Sequence, residues 1–176
     1  MDKRWLLIVL ILIFGISCVY VIVENSLTVG SASQSVGHAI ISIPPDFSIY
    51  SSDSNSVTLV SSNGHKIEFA EVEGKDNAEK LHNYRIQSLN KTNDIHTLQD
   101  GVMHVGDTDV YTLYYHADKT NDQNEVNSSL SYFDKFNHTY FIRIWGFDYN
   151  KDHNTILDYI DLISRNIRQD YKQNSN

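Results

Sequence analysis

The feature that most constrains this chain is a run of nineteen residues without a charge, WLLIVLILIFGISCVYVIV, over positions 5–23. As a helix rising about 1.5 Å per residue, the run is roughly 28 Å long, close to the ~30 Å hydrocarbon core of a bilayer. Lys3 and Arg4 precede it and Glu24 follows it. The positive-inside rule therefore predicts a cytoplasmic N-terminus and an external remainder. Trp5 and Tyr20 fall near the two interfaces, where amphipathic rings are favoured. Two readings compete. A cleaved secretory signal has an apolar stretch of about 7–15 residues before a small-residue cut. Gly30-Ser31-Ala32 offers such a cut, but the run is longer than that. Gly15-Ile16-Ser17-Cys18 faintly resembles a lipoprotein acceptor, yet Gly15 stands where Leu is usual and residues 19–23 stay apolar. Length favours a retained, single-pass signal-anchor over residues 1–24, with residues 5–23 in the lipid bilayer and Cys18 acting as a small buried hydrophobe. The expected location is the cell membrane.

Residues 25–37 are rich in Ser, Gly, Asn and Thr and show no period, which predicts a flexible linker. One external domain is expected over residues 38–172. The chain holds 22 acidic and 14 basic residues, a net charge of −8. Charges at the two ends of the anchor cancel, so the outer part carries all of it. Phosphate backbones are bound by clustered Lys and Arg, and this balance argues against a nucleic-acid partner. A single cysteine excludes an intrachain disulfide and a multi-cysteine zinc site. A domain of about 150 residues buries about 68–70% of its unfolded surface and folds without such staples.

Strand signals follow. A β-branched run over residues 38–43 ends at Pro44-Pro45, because proline cannot donate to a sheet ladder. Runs over 57–61 and 66–73 flank Asn63-Gly64, a strong hairpin signal. In the second arm Ile67, Phe69 and, at the end of the period, Glu71 face one way. Asp76 then offers an N-cap, with Glu79 three residues on, for a helix carrying Ala78, Leu81, Arg85 and Leu89 on one stripe and Ile86 beside it. Further strands are expected over 96–98, 102–105 and 109–116. A last hairpin, 126–136 with 139–147, should turn at Asn137-His138. Residues 152–172 form the clearest amphipathic helix, with Ile156, Tyr159, Ile160, Ile163 and Ile167 on one face and Asp152 as cap.

Short turns between strands imply an antiparallel sheet, and the order of elements implies an α+β fold. The expected architecture is a single N-terminal transmembrane helix followed by an antiparallel sheet covered by two helices. Pro44 to Phe47, after the first strand, resembles the opening P-x-x-[WF] of the PsbP/Mog1-like α/β/α sandwich family. The strand–helix unit from Tyr140 to Ile167 resembles that family's closing unit. The resemblance spans about residues 38–170 and rests on packing signatures. It implies a non-catalytic binding or assembly module. No residues match a photosystem-binding or GTPase-binding motif, and a membrane anchor departs from the family's usual pattern.

Candidate chemistry is sparse. Eight histidines lie at 38, 65, 82, 96, 104, 116, 138 and 153, without an HExxH motif or an i, i+4 pair. His104 and His116 can meet across neighbouring strands, with Asp107 or Asp109 near, but turn and surface histidines are the simpler reading. Asp148, Asn150, Asp152 and Asn154 alternate like a calcium loop, and Asp118, Thr120, Asp122 and Asn124 nearly do. Both stretches lack the Gly at position six and the Glu at position twelve, so turn and cap chemistry explains them better. No nucleophile elbow, P-loop or dinucleotide fingerprint is present. Sequons at Asn90, Asn127 and Asn137 occur at about the frequency chance predicts. Tyr111, Tyr114, Tyr115, Tyr132, Phe133, Tyr140, Phe141, Trp145 and Phe147 crowd neighbouring strands. They read as a core under two helices rather than a binding face.

The sequence therefore predicts a membrane-anchored, external binding or assembly module that is not an enzyme. It has no assigned catalytic, metal or cofactor residues and no cofactor, and its expected partner is a membrane or envelope protein. A metal-dependent hydrolase using His and Asp residues of the meander, and a structural envelope protein, are the alternatives.

Overall fold

Alternation of apolar and polar residues marks several of the strands. In Ser56–Ser61 and Lys66–Val72 the apolar positions fall two apart on one face, the period of a half-covered strand. The computed structural model describes residues 32–92, 94–118 and 127–171. In chain order the strands are β1 (Ala32–Val36), β2 (Ala39–Ile43), β3 (Phe47–Ser52), β4 (Ser56–Ser61) and β5 (Lys66–Val72). Helix α1 (Ala78–Leu89) comes next, then β6 (Ile95–Val105), β7 (Thr108–Ala117), β8 (Asn127–Lys135) and β9 (His138–Trp145). Helix α2 (Tyr149–Asn166) and the short β10 (Arg168–Gln169) close the order.

Two antiparallel sheets result. One runs β3-β4-β5-β9-β8-β7-β6, and a smaller one runs β1-β2-β10. The long connection through α1, β6 and β7 lets β9 pair with β5 at the centre of the large sheet. Two-residue turns set several registers. Phe136 and Asn137, both at positive φ, join Lys135 to His138, the conformation that matches the twist of paired strands.

The large sheet buries both faces by halves. Phe69, Tyr140, Ile142, Ile144 and Phe133 point to the face covered by Ile156, Ile160 and Ile163 of α2 and by Val36, Ala39 and Ile41 of the small sheet. Leu113, Tyr115 and Leu130 point the other way, under Ile86 and Leu89 of α1. The expected aromatic core is thus largely inside: Phe133 and Tyr140 are fully buried, and Tyr114, Tyr115, Trp145 and Phe147 nearly so.

The expected fold class needs correction. The described chain is dominated by strands, and none of its helices is long and apolar enough to cross a membrane. The apolar run at 5–23, with Cys18, lies outside the described residues. The expected single sheet under two helices is also incomplete, because a second sheet shares with α2 the covering of one face. The reason is non-local: β10 is two residues long and forms only because Arg168 and Gln169 meet Ile40 and Ala39.

Smaller differences have the same origin. Strand β1 occupies residues assigned to a linker, because Ala32 to Val36 find partners in β2. Strand β3 follows the proline pair as an edge strand with mostly exposed side chains and little periodic signal. The two short strands expected over 96–105 are one, β6, bulged between Thr97 and Gln99. Helix α2 ends at Asn166, where Ile167 turns to an extended backbone, although the buried Ile167 continues the apolar spacing. The caps are Asn77 and Asp148 rather than Asp76 and Asp152. Asp76 instead pairs with Lys80, and Asp152 accepts a bond from the Asp148 amide at 2.9 Å.

Candidate functional site

At one pole of the molecule two hairpin turns and the end of a strand bring polar side chains together. The β1–β2 turn is Gly37-His38, the β8–β9 turn ends at His138, and Glu71 sits near the end of β5. Registry explains the meeting, since Glu71 is paired with Tyr140 and Val72 with Thr139, so His138 lies just beyond. The main chain of the β1–β2 turn is held from three sides. The Gly37 amide donates to the Ser54 carbonyl at 2.7 Å, the Asp170 amide donates to the His38 carbonyl at 2.8 Å, and the His38 amide donates to Glu71 Oε2 at 2.6 Å.

The carboxylate of Glu71 lies between two imidazoles. His38 Nδ1 is 2.9 Å from Oε1, and His138 Nδ1 is 2.8 Å from the same oxygen. The two rings stack with centroids 4.0 Å apart and planes 15° from parallel. The Glu71 side chain is 12% exposed and each imidazole 31%, so the group is sheltered but reachable from solvent. Gly37 makes the approach possible. Its φ is +55°, and a Cβ there would fall 1.9 Å from Glu71 Oε2, a position no side chain can share. Beneath the cluster, burial pushes the Tyr140 hydroxyl strongly up, and the negative charge of Glu71 adds to this.

A pocket of about 300 Å³ adjoins the cluster and is lined by Val72, Gly74, Lys75, Asp76, Asn77, Asp134, Asn137, His138 and Thr139. Its rim is pre-organised. Asp134 accepts bonds from the Ala78 amide at 3.1 Å and from the Thr139 hydroxyl at 2.5 Å, and Asn77 caps α1 through the Lys80 amide at 3.0 Å.

Of the eight histidines, His38 and His138 converge here, whereas the pair singled out from the sequence, His104 and His116, does not. His104 lies 2.6 Å from Asp109 at the turn end of β6–β7, whereas His116 pairs in register with His96 at the other end. The His104–His116 meeting considered from the sequence is therefore excluded by register. Asp107 bonds Lys135 instead, and that ammonium holds its carboxyl below the usual range. His96 and His116 approach Asp118 at 3.1 and 3.4 Å on an exposed edge. His65 stacks on Phe147, and His153 packs against Tyr114 and Tyr149. His82 lies on the buried side of α1 near Tyr111, against the expectation of turn and surface histidines. Asp148 is a helix cap, its side chain accepting from the Asn150 amide at 3.1 Å. The bond from Lys151 holds its carboxyl low. The other calcium-like stretch lies mostly outside the described residues.

The cluster was missed from sequence because its members are far apart along the chain. One signal was present: Glu71 is an acidic residue on the apolar period of Ile67 and Phe69, and such a position requires a polar partner.

No protein-family model matches the chain, and no curated protein does. The fold is similar to the solution structure of cyanobacterial PsbP (CyanoP) from Synechocystis sp. PCC 6803, with a TM-score of 0.49 and 10% identity over 79% of this chain and 92% of that one. This is a weak resemblance at the level of fold, in line with the family resemblance read from the sequence. The apo structure of the immunity protein TplEi of T6SS from Pseudomonas aeruginosa gives a TM-score of 0.42 and 16% identity over 65% of this chain and 43% of that one. A protein of Bacteroides thetaiotaomicron gives 0.41 and 10% over 77% and 46%.

Proposed function

We propose that this domain is a binding module that works from the pole where the β1–β2 turn, the end of β5 and the β8–β9 turn meet, and that it binds without catalysing a reaction. The observation that carries the reading is the pocket of about 300 Å³ next to the His38–Glu71–His138 cluster. Concave sites with a few convergent polar groups are the usual form of a ligand or partner site, and loops fixed on a rigid scaffold are where such sites occur. The carboxylates of this pole support recognition over proton transfer. Asp134 is committed to a helix N-terminus and a threonine, Asp76 to Lys80, and Glu71 to two imidazoles and an amide.

A photo-crosslinking residue placed at Lys75, on the pocket rim, tests this against the same residue at Tyr50, on edge strand β3. Both positions are exposed. Irradiation of the full chain in cells should give one discrete adduct from position 75. Adducts from position 50 alone, or none from position 75, would refute the assignment of the pole.

A further inference from the structure

We infer that His38, Glu71 and His138 form a site for one divalent transition-metal ion of the zinc type. This deepens the proposed binding role of the pole and rests on it. One donor atom from each residue lies within 4.8 Å of the others. Two imidazoles and a carboxylate suit zinc and its neighbours, whereas calcium and magnesium call for oxygen-rich shells of six or more ligands.

The present contacts are close to what an ion requires. Both Nδ1 atoms already address the same oxygen, at 2.9 and 2.8 Å. With metal–ligand bonds of about 2.0–2.2 Å in a tetrahedral shell, neighbouring donors stand roughly 3.3 Å apart. Each Nδ1 needs to move about half an ångström away from Oε1. The rings must also pivot out of their near-parallel stack, because stacked imidazoles aim both lone pairs in one direction. Each ring sits at a turn and keeps about a third of its surface free for that movement. An imidazole ligates through a nitrogen that carries no proton, so Nδ1 can hold the ion with Nε2 as the N–H donor.

The surroundings are those of a built site. The His38 amide fixes Oε2 of Glu71 at 2.6 Å and leaves Oε1 turned to the imidazoles, the kind of outer contact that orients a carboxylate ligand. Gly37 leaves room for that carboxylate that any Cβ would fill. Three protein donors keep a fourth position open, and His138 also lines the adjoining pocket. Water or a donor group of the bound partner takes that position.

The test is calorimetric titration of the untagged full chain, freed of metal with a chelator, with zinc ion alone. Cobalt(II) absorption serves as a report on geometry. We expect one ion per chain and the visible bands of tetrahedral cobalt. His138→Gln should weaken binding at least ~100-fold, since even outer-contact losses cost 10–100-fold. Glu71→Gln provides a second variant that keeps an oxygen for the His38 amide. The double variant His96→Gln/His104→Gln removes exposed histidines elsewhere and should bind as the parent does. Absence of saturable binding, or binding that survives His138→Gln and Glu71→Gln, overturns the site, whatever the double variant does. Metal failure with an intact Lys75 crosslink removes the ion and keeps the binding pole, so the two readings fail separately.

Discussion

Replacing Gly37 by alanine should be the most damaging single methyl addition at the pole. Two costs combine. An L-residue at φ +55° carries about 1–2 kcal/mol of backbone strain. The new Cβ would also lie 1.9 Å from Glu71 Oε2 and 2.9 Å from Glu71 Cβ, so the carboxylate must leave. Its departure breaks the bond from the His38 amide at 2.6 Å, and a hydrogen bond to a charged group is worth about 1.5–3 kcal/mol. The expected loss is about 2.5–5 kcal/mol. In a domain of this size each kcal/mol lowers Tm by roughly 2–4 °C. Gly106→Ala is the matched control, at φ +62° with no atom within 4 Å of the added Cβ. It meets the strain alone, about 1–2 kcal/mol. Urea unfolding of both variants at pH 7, with unchanged m-values, measures the difference. Equal midpoints for the two variants would refute the claim that Glu71 occupies the space next to Gly37.

Three further outcomes are expected. Burial of His82 lowers its folded pKa below 6.5, with Asp100 opposing. The stability it contributes is therefore present above about pH 6.5 and lost as pH falls through the folded value, so His82→Leu should flatten the decline of the urea midpoint between pH 7 and 5. An unchanged slope would show that another group governs that range. Burial pushes the Tyr114 hydroxyl up to about 12. The folded state then keeps a proton that the unfolded state releases above pH 10, and stability should fall by about 1 kcal/mol per pH unit between 10 and 12, less steeply in Tyr114→Phe. Ile163 of α2 is fully buried. Ile163→Ala should cost about 2–5 kcal/mol in calorimetric melting, while Ile49→Ala, 44% exposed on β3, should stay within about 0.5 kcal/mol. Similar losses at both positions would contradict the core assignment.

Much of the fold was legible wherever the decisive contacts are local. The β4–β5 hairpin follows from Asn63-Gly64 between alternating runs, and the β8–β9 hairpin from a turn beside His138. Helix α2 follows from the spacing of Ile156, Ile160 and Ile163. The buried aromatic strands follow from bulk on both faces of β7 and β9. The small sheet was not legible, because β10 offers two polar residues and is specified only by its partner β2. Nor was burial of His82, which lies beside the expected stripe of α1 and is turned inward by packing on β7.

The candidate site shows the same division. A turn next to His138, expected at Asn137-His138 and found at Phe136-Asn137, and the misplaced acid Glu71 on an apolar period are legible in the sequence alone, whereas the Gly37-His38 turn falls where a linker and a strand start were expected. Their convergence is not. Strand order sets β9 against β5, and β2 carries its turn across the end of that pair. Local periodicity fixes which face a side chain takes, because the pleat repeats every two residues. Which strand lies next to which is fixed by non-local burial, and that burial placed one carboxylate between two imidazoles.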